Sequence, residues 1–158
     1  MLAVDPTSRG YAFCVLEGPN RLIDWGTRTA RKDKEWECLS KLGQLIEELQ
    51  PDLVVVEDCG KPGSRRCARV RELVGAFVEL AKQRKVKTAR VSRREVEATF
   101  ADSGARSKQE IAAAIAKRFP ELGPHLPTPR KLWTSEDCRM NIFDAVRMVL
   151  SVFDCTRR

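Results

Sequence analysis

Three acids in this chain stand where acids are costly unless they have a task. Asp5 closes the short apolar run LAVDP, and Glu57 closes a second one, DLVVVE. Asp144 lies in NIFDAVRMVL, on a helix face otherwise made by Ile142, Phe143, Val146 and Val149. In such surroundings a carboxylate costs on the order of a few kcal/mol unless it is paired or coordinates a metal. Carboxylate oxygens are hard ligands that suit Mg²⁺ or Mn²⁺. Two such ions held a few ångströms apart can activate water and neutralise a leaving oxygen in phosphodiester hydrolysis. Singly, each acid has an ordinary explanation: Asp5 before Pro6 can open a turn, Glu57 can meet an arginine, and Asp144 can cap something or reach solvent. Three of them beside a concentrated basic surface point instead to a metal site.

That basic surface follows Glu57 directly. A Gly/Pro loop leads into Arg65, Arg66, Arg69 and Arg71, and from Lys61 to Arg94 twelve Lys/Arg face only Glu72 and Glu79. The local excess of +10 sits in a chain whose net charge is +7, so the remainder is mildly acidic. Such an asymmetry implies a polyanionic partner. The competing explanation is a helix with a solvated charged face. It is weakened by the position of the arginines at a loop and first helical turn, where the macrodipole disfavours cations unless something negative binds. Lys61, Arg65, Arg66, Arg69, Arg71, Arg93, Arg94, Arg106 and Lys108 are expected to hold a phosphate backbone, reading shape rather than sequence.

The elements that must position these groups follow from periodicity. LAVDP, GYAFCVLEG and RLIDWGTRT read as three strands, with GPN as the hairpin turn between the last two. From Asp33 to Leu49 the apolar residues Trp36, Leu39, Leu42, Leu45, Ile46 and Leu49 recur at helical spacing, and Pro51 closes the segment. DLVVVE is an unbroken apolar run, hence a strand buried on both faces. Residues 66–84 form a second helix with Val70, Leu73, Val74, Phe77, Val78 and Ala81 inward, and VKTARVS a fifth strand. Ser92 caps a short helix through Phe100, and Ser107 caps another from Lys108 to Phe119, with Glu110 completing a capping box. Gly and Pro dominate 120–130. Ser135 caps a last helix to about Val152, with Met140, Ile142 or Phe143, Val146, Val149, Leu150 and Phe153 inward. The order βββαβαβααα describes an α/β domain, a mixed five-stranded sheet of three antiparallel strands and then two parallel ones, flanked by helices. In such sheets sites gather beyond the carboxyl ends of parallel strands, where Asp5 and Glu57 both lie if their strands are neighbours.

Composition narrows the classes further. A length of 158 residues with no internal repeat or linker predicts a single domain over 1–158. No apolar run approaches the ~20 residues of a membrane span, and the N-terminus lacks a secretory pattern, which places the protein in the cytoplasm. The six cysteines are scattered without a Cys-x-x-Cys pair, and His125 is the sole histidine. Small buried thiols and a solvated loop histidine are expected, not a zinc site.

With these residues in place the chain resembles the RuvC-type Holliday junction resolvases of the ribonuclease H-like superfamily. The resemblance is carried by AVDPTSRGYAFCVLE, DLVVVED, VSRREVEATFADSGARSKQEI and NIFDAVRMVL, in that order, and covers nearly the whole chain. It implies a ribonuclease H-like fold and two Mg²⁺ (or Mn²⁺) held by Asp5, Glu57 and Asp144. Lys108 falls on a lysine that assists near the scissile phosphate. A homodimer resolving four-way DNA junctions is implied, with no nucleotide cofactor. Three departures stand out. Asn141 replaces an acid or histidine three residues before the last Asp, so the set is completed either by Asn141 through its amide oxygen or by Asp137, two helical turns (about 10.5 Å) before Asp144. Glu97 stands where some members carry a second active-site lysine. The loop after Glu57, CGKPG, lacks the aromatic that helps open the junction in well-studied members, which leaves flaps or RNA–DNA hybrids as alternative substrates. A non-catalytic branched-DNA binding module is the alternative from another class.

Overall fold

The computed structural model describes residues 1–61, 66–101, 104–129 and 137–157. Five strands form one sheet: β1 (Leu2–Thr7), β2 (Gly10–Leu16), β3 (Leu22–Thr29), β4 (Leu53–Glu57) and β5 (Lys87–Val91), in the spatial order β3-β2-β1-β4-β5. The first three pair antiparallel, and β4 and β5 add in parallel beside β1. This is the mixed sheet expected from the sequence. The helices are α1 (Lys34–Leu49), α2 (Ala68–Gln83), α3 (Arg93–Ala101), α4 (Lys108–Arg118) and α5 (Met140–Arg157).

Strand alternation sends successive side chains to opposite faces, and the sheet builds a core on each. Leu2, Val4, Tyr11, Phe13, Val54 and Val56 pack against α1 and α2 through Leu42, Ile46, Val74 and Phe77. Ala3, Ala12, Cys14 and Val55 face the other way, onto Phe143, Val146 and Val149 of α5. The small residues on that second face let α5 lie close to the sheet, with α3 and α4 beyond it. Local signals fix the helix starts. The Asp33 side chain accepts from the Trp36 amide, Ser107 and Glu110 form the expected capping box, and Ser92 and Glu95 exchange the same reciprocal bonds. Gly10 holds φ +152° in the tight β1–β2 turn, where an added Cβ would overlap the Arg28 carbonyl; only glycine lets β1 turn back so soon after Asp5.

Four expectations change. Trp36 does not join the inner stripe of α1 but is 66% exposed; at 3.6 residues per turn it lies roughly 120° around the helix from Leu42. Half of the cysteines, Cys14, Cys38 and Cys59, are buried, whereas Cys67, Cys138 and Cys155 are exposed, and no disulfide joins any of them among the described residues. The 120–130 segment contains a 3-10 helix at Pro120–His125, anchored by fully buried Leu122. His125 is half-buried there, its ring edge-on to Trp25 at 6.4 Å, rather than solvated. Ser135, the expected cap of α5, lies outside the described residues. Among the described residues no helix is long and apolar enough to cross a membrane.

Candidate active site

Register brings the first two acids together. β1 and β4 pair Ala3 with Val55, and two further residues along each strand reach Asp5 and Glu57 at the same sheet edge. Ala3 and Val55 face α5, and with a side-chain period of two so do Asp5 and Glu57. On α5, Asn141, Asp144, Arg147 and Met148 form one stripe at helical spacing. That stripe and the two strand ends line a cavity of about 190 Å³ together with Arg66, Arg93, Lys108 and Val91.

The acids are deeply set. Asp5 is 1% exposed and Asp144 3%. Every carboxylate meets a cation. The Arg66 guanidinium donates from Nε to Glu57 Oε2 at 2.6 Å, from Nη2 to Asp5 Oδ1, and from Nη1 to the Pro6 carbonyl at 3.2 Å. Lys108, at the first position of α4, donates to Asp144 Oδ2 at 2.9 Å. Arg147 meets Asp144 Oδ1 at 3.1 Å from one helical turn away. Arg66, Lys108 and Arg147 thus offset the three acids, and Arg93, the fourth cation of the lining, is paired to Glu97. Burial pushes the Asp5 carboxyl up to about 7; Arg66 pulls it down, and the charges of Asp144 and Glu57 raise it again. Its second oxygen, Oδ2, is buried without a hydrogen-bond partner. An orphaned carboxylate oxygen amid mutually repelling acids is a demand for a cation.

The donor set, three carboxylates and the Asn141 amide, has the hard oxygen chemistry of Mg²⁺ or Mn²⁺. As the side chains are placed, no three His, Cys, Asp or Glu among the described residues stand ready to hold an ion. Between Asp5 and Glu57 stands the Arg66 guanidinium, bonded to both. The residues fit the metal in kind, once Arg66 withdraws.

Other expected site residues divide sharply. Asn141 lines the cavity, whereas Asp137 turns away to Arg139 at 2.6 Å, whose hydrogen bonds hold its carboxyl below the usual range. Glu97 lies outside the cavity, paired to Arg93 at 2.8 Å. Lys61 is drawn to Asp58 at 3.8 Å and Glu95 at 3.6 Å. Arg66, expected on the DNA-facing surface, is instead built into the carboxylate cluster. Arg71 donates from Nε to the Arg66 carbonyl at 3.0 Å. Arg69, Arg94 and Arg106 are exposed at or just before the first turns of α2, α3 and α4, and Arg65 lies outside the described residues. Sequence reasoning missed Arg147; its signal is the spacing of three from Asp144, which puts both on one helix face.

No protein-family model and no curated protein matches the sequence. Among solved structures, Thermus thermophilus RuvC superposes with a TM-score of 0.69 at 18% identity, covering 99% of this chain and 96% of that one. The T. thermophilus RuvC complex with a Holliday junction substrate gives 0.71 at 17% identity over the same shares. The yeast mitochondrial Holliday junction resolvase Ydc2 gives 0.57 at 12% identity, over 96% of this chain and 77% of that one. The fold is therefore that of the RuvC-type resolvases, end to end.

Proposed function

We propose that this chain is a metal-dependent endonuclease that cuts branched DNA, four-way junctions above all. The observation that carries the proposal is the convergence of Asp5, Glu57 and Asp144 in one buried cavity on a RuvC-like sheet. T. thermophilus RuvC, which shares the fold, was captured on a Holliday junction substrate.

In this reading Asp5, Glu57 and Asp144 hold two divalent ions and Asn141 adds a neutral oxygen. When bound, such ions supply an activated water and neutralise the leaving oxygen. The remaining work belongs to the protein's own side chains. Lys108, with 41% of its side chain exposed, stands at the cavity mouth and can pass from Asp144 to the phosphate. Arg147, 18% exposed, stays behind to orient Asp144. Arg66 is displaced from Asp5 and Glu57 and then faces the incoming phosphate. Because the resting cavity is already neutral, two divalent ions would overcharge it unless polyanion enters too. Metal loading and DNA binding are thus coupled. Arg69, Arg94 and Arg106 grip the backbone, and a homodimer presents two such cavities to symmetric strands.

The occupation of the cradle by Arg66 favours one second reading, a branched-DNA binding module that does not cut. A synthetic four-way junction incubated with and without Mg²⁺ separates the two. Paired nicks that require Mg²⁺ are expected; binding without cleavage under any divalent ion would establish the second reading. A parallel panel of flaps and RNA–DNA hybrids reads substrate choice.

A further inference from the structure

Trp36 is the most exposed large apolar side chain among the described residues, and it belongs to neither core. Its backbone is nonetheless fixed, because its amide is held by the Asp33 cap at 3.2 Å in the first turn of α1. That turn sits on the rim that carries Asp5. β3 and β1 both end there, the Ala30 amide donates to the Arg9 carbonyl at 2.8 Å, and Lys34 reaches the Ser8 carbonyl at 3.4 Å. Beside Trp36, Glu37 accepts from the backbone amides of Arg31 at 3.2 Å and Lys32 at 3.0 Å. The carboxylate is thereby spent on the backbone, and the two side chains point outward. Arg9, Arg31 and Lys32 are exposed, and none enters an ion pair among the described residues.

An exposed indole beside three unpaired cations, with Asp33 spent on the helix cap, Glu37 on the backbone and Glu35 exposed in the same turn, has the two ingredients of single-strand recognition. Bases stack on aromatic faces without sequence preference, and cations track the phosphates. We infer that Trp36, flanked by Arg9, Arg31 and Lys32, is a stacking platform for an unpaired base of a branched DNA, on the α1 side of the rim. The charge selects a polyanion over an apolar protein partner, and the location on the catalytic rim selects DNA already bound there. The inference rests on the branched-DNA reading above and adds the place where the branch is read.

The test is equilibrium binding, in EDTA to prevent cleavage, of a four-way junction and a linear duplex, each with 2-aminopurine at the matching central position. Wild type is expected to prefer the junction and to quench its 2-aminopurine. Trp36→Ala is expected to lose about 5- to 100-fold in junction affinity and the quenching, with duplex affinity unchanged, and Trp36→Phe to recover most of both. Junction selectivity and quenching that survive in Trp36→Ala would overturn the platform while leaving the nuclease reading intact. So would an equal loss on junction and duplex, or a change confined to sedimentation mass, which would mark a contact between copies of the chain. A wild-type protein with no junction preference would instead remove the branched-DNA reading, and the platform with it.

Discussion

Two sets of cations share one rim of the sheet and behave differently. Arg66, Lys108 and Arg147 turn inward, each onto a buried carboxylate. Arg9, Arg31, Lys32, Arg69 and Arg94 turn outward and enter no ion pair among the described residues. The inner set neutralises the buried acids. The outer set faces solvent. Within the basic run from Lys61 to Arg94, Arg66 thus turns onto buried acids while Arg69 and Arg94 stand exposed.

The largest break in this comparison is made at the acids. Asp5→Asn is expected to lower Mg²⁺-dependent junction cleavage by at least about 10²-fold while junction affinity in EDTA stays within a factor of two or so, because phosphate is held by the outer set. Gel-resolved nicking beside equilibrium binding reads both.

Removing an inner cation should act on stability instead. Arg66→Ala leaves Asp5 and Glu57 without their partner, and is expected to cost about 3 kcal/mol in EDTA. Saturating Mg²⁺ should restore most of it, since the ion takes the vacated place. Urea unfolding in EDTA and in Mg²⁺ measures the difference, and an equal loss in both would mean that Arg66 is only a structural tie.

The pH dependence follows from the raised Asp5 carboxyl. A folded value of about 7 above the ordinary 3.8 means that the protonated form is favoured by folding. That stability is full below pH 4 and is lost as pH climbs through 7. Asp5→Asn, which cannot ionise, should escape the loss. In EDTA its stability relative to wild type is expected to rise by on the order of 4 kcal/mol between pH 4 and pH 8, read from unfolding midpoints. The residue that enables cleavage would then be a burden on the metal-free fold.

The smallest effects belong to single outer cations. Arg69→Ala or Arg94→Ala should weaken binding to every DNA alike and reduce the slope of log affinity against log salt by about 0.9 each. A change in junction preference from either would give these arginines a role in recognition that phosphate contact alone does not confer.

Much of the fold and the acid cluster is legible in the residues themselves. LAVDP and DLVVVE announce buried strands by their unbroken apolar runs, and an acid at the end of each is visible by eye. Asp144 is found because it interrupts an apolar helical stripe. Direction is what a sequence does not carry. Arg66 sits in the same basic run as Arg69, and only the fold decides that its long side chain reaches back some sixty residues to Asp5. Trp36 fits the helical period of α1 loosely, and the pattern cannot tell a margin position from an inner one. Asn141 and Asp137 are both candidates by spacing from Asp144; the Arg139 side chain, which captures Asp137, separates them.

The claim at the centre is that one cavity exchanges an arginine for metal. Crystals grown with a four-way junction DNA, soaked in Mn²⁺ and recorded at its absorption edge test it directly. The account predicts anomalous peaks between Asp5, Glu57 and Asp144 with the Arg66 guanidinium withdrawn from both of its carboxylates. A cavity without anomalous signal at saturating Mn²⁺, with Arg66 still bound to Asp5 and Glu57, would contradict it.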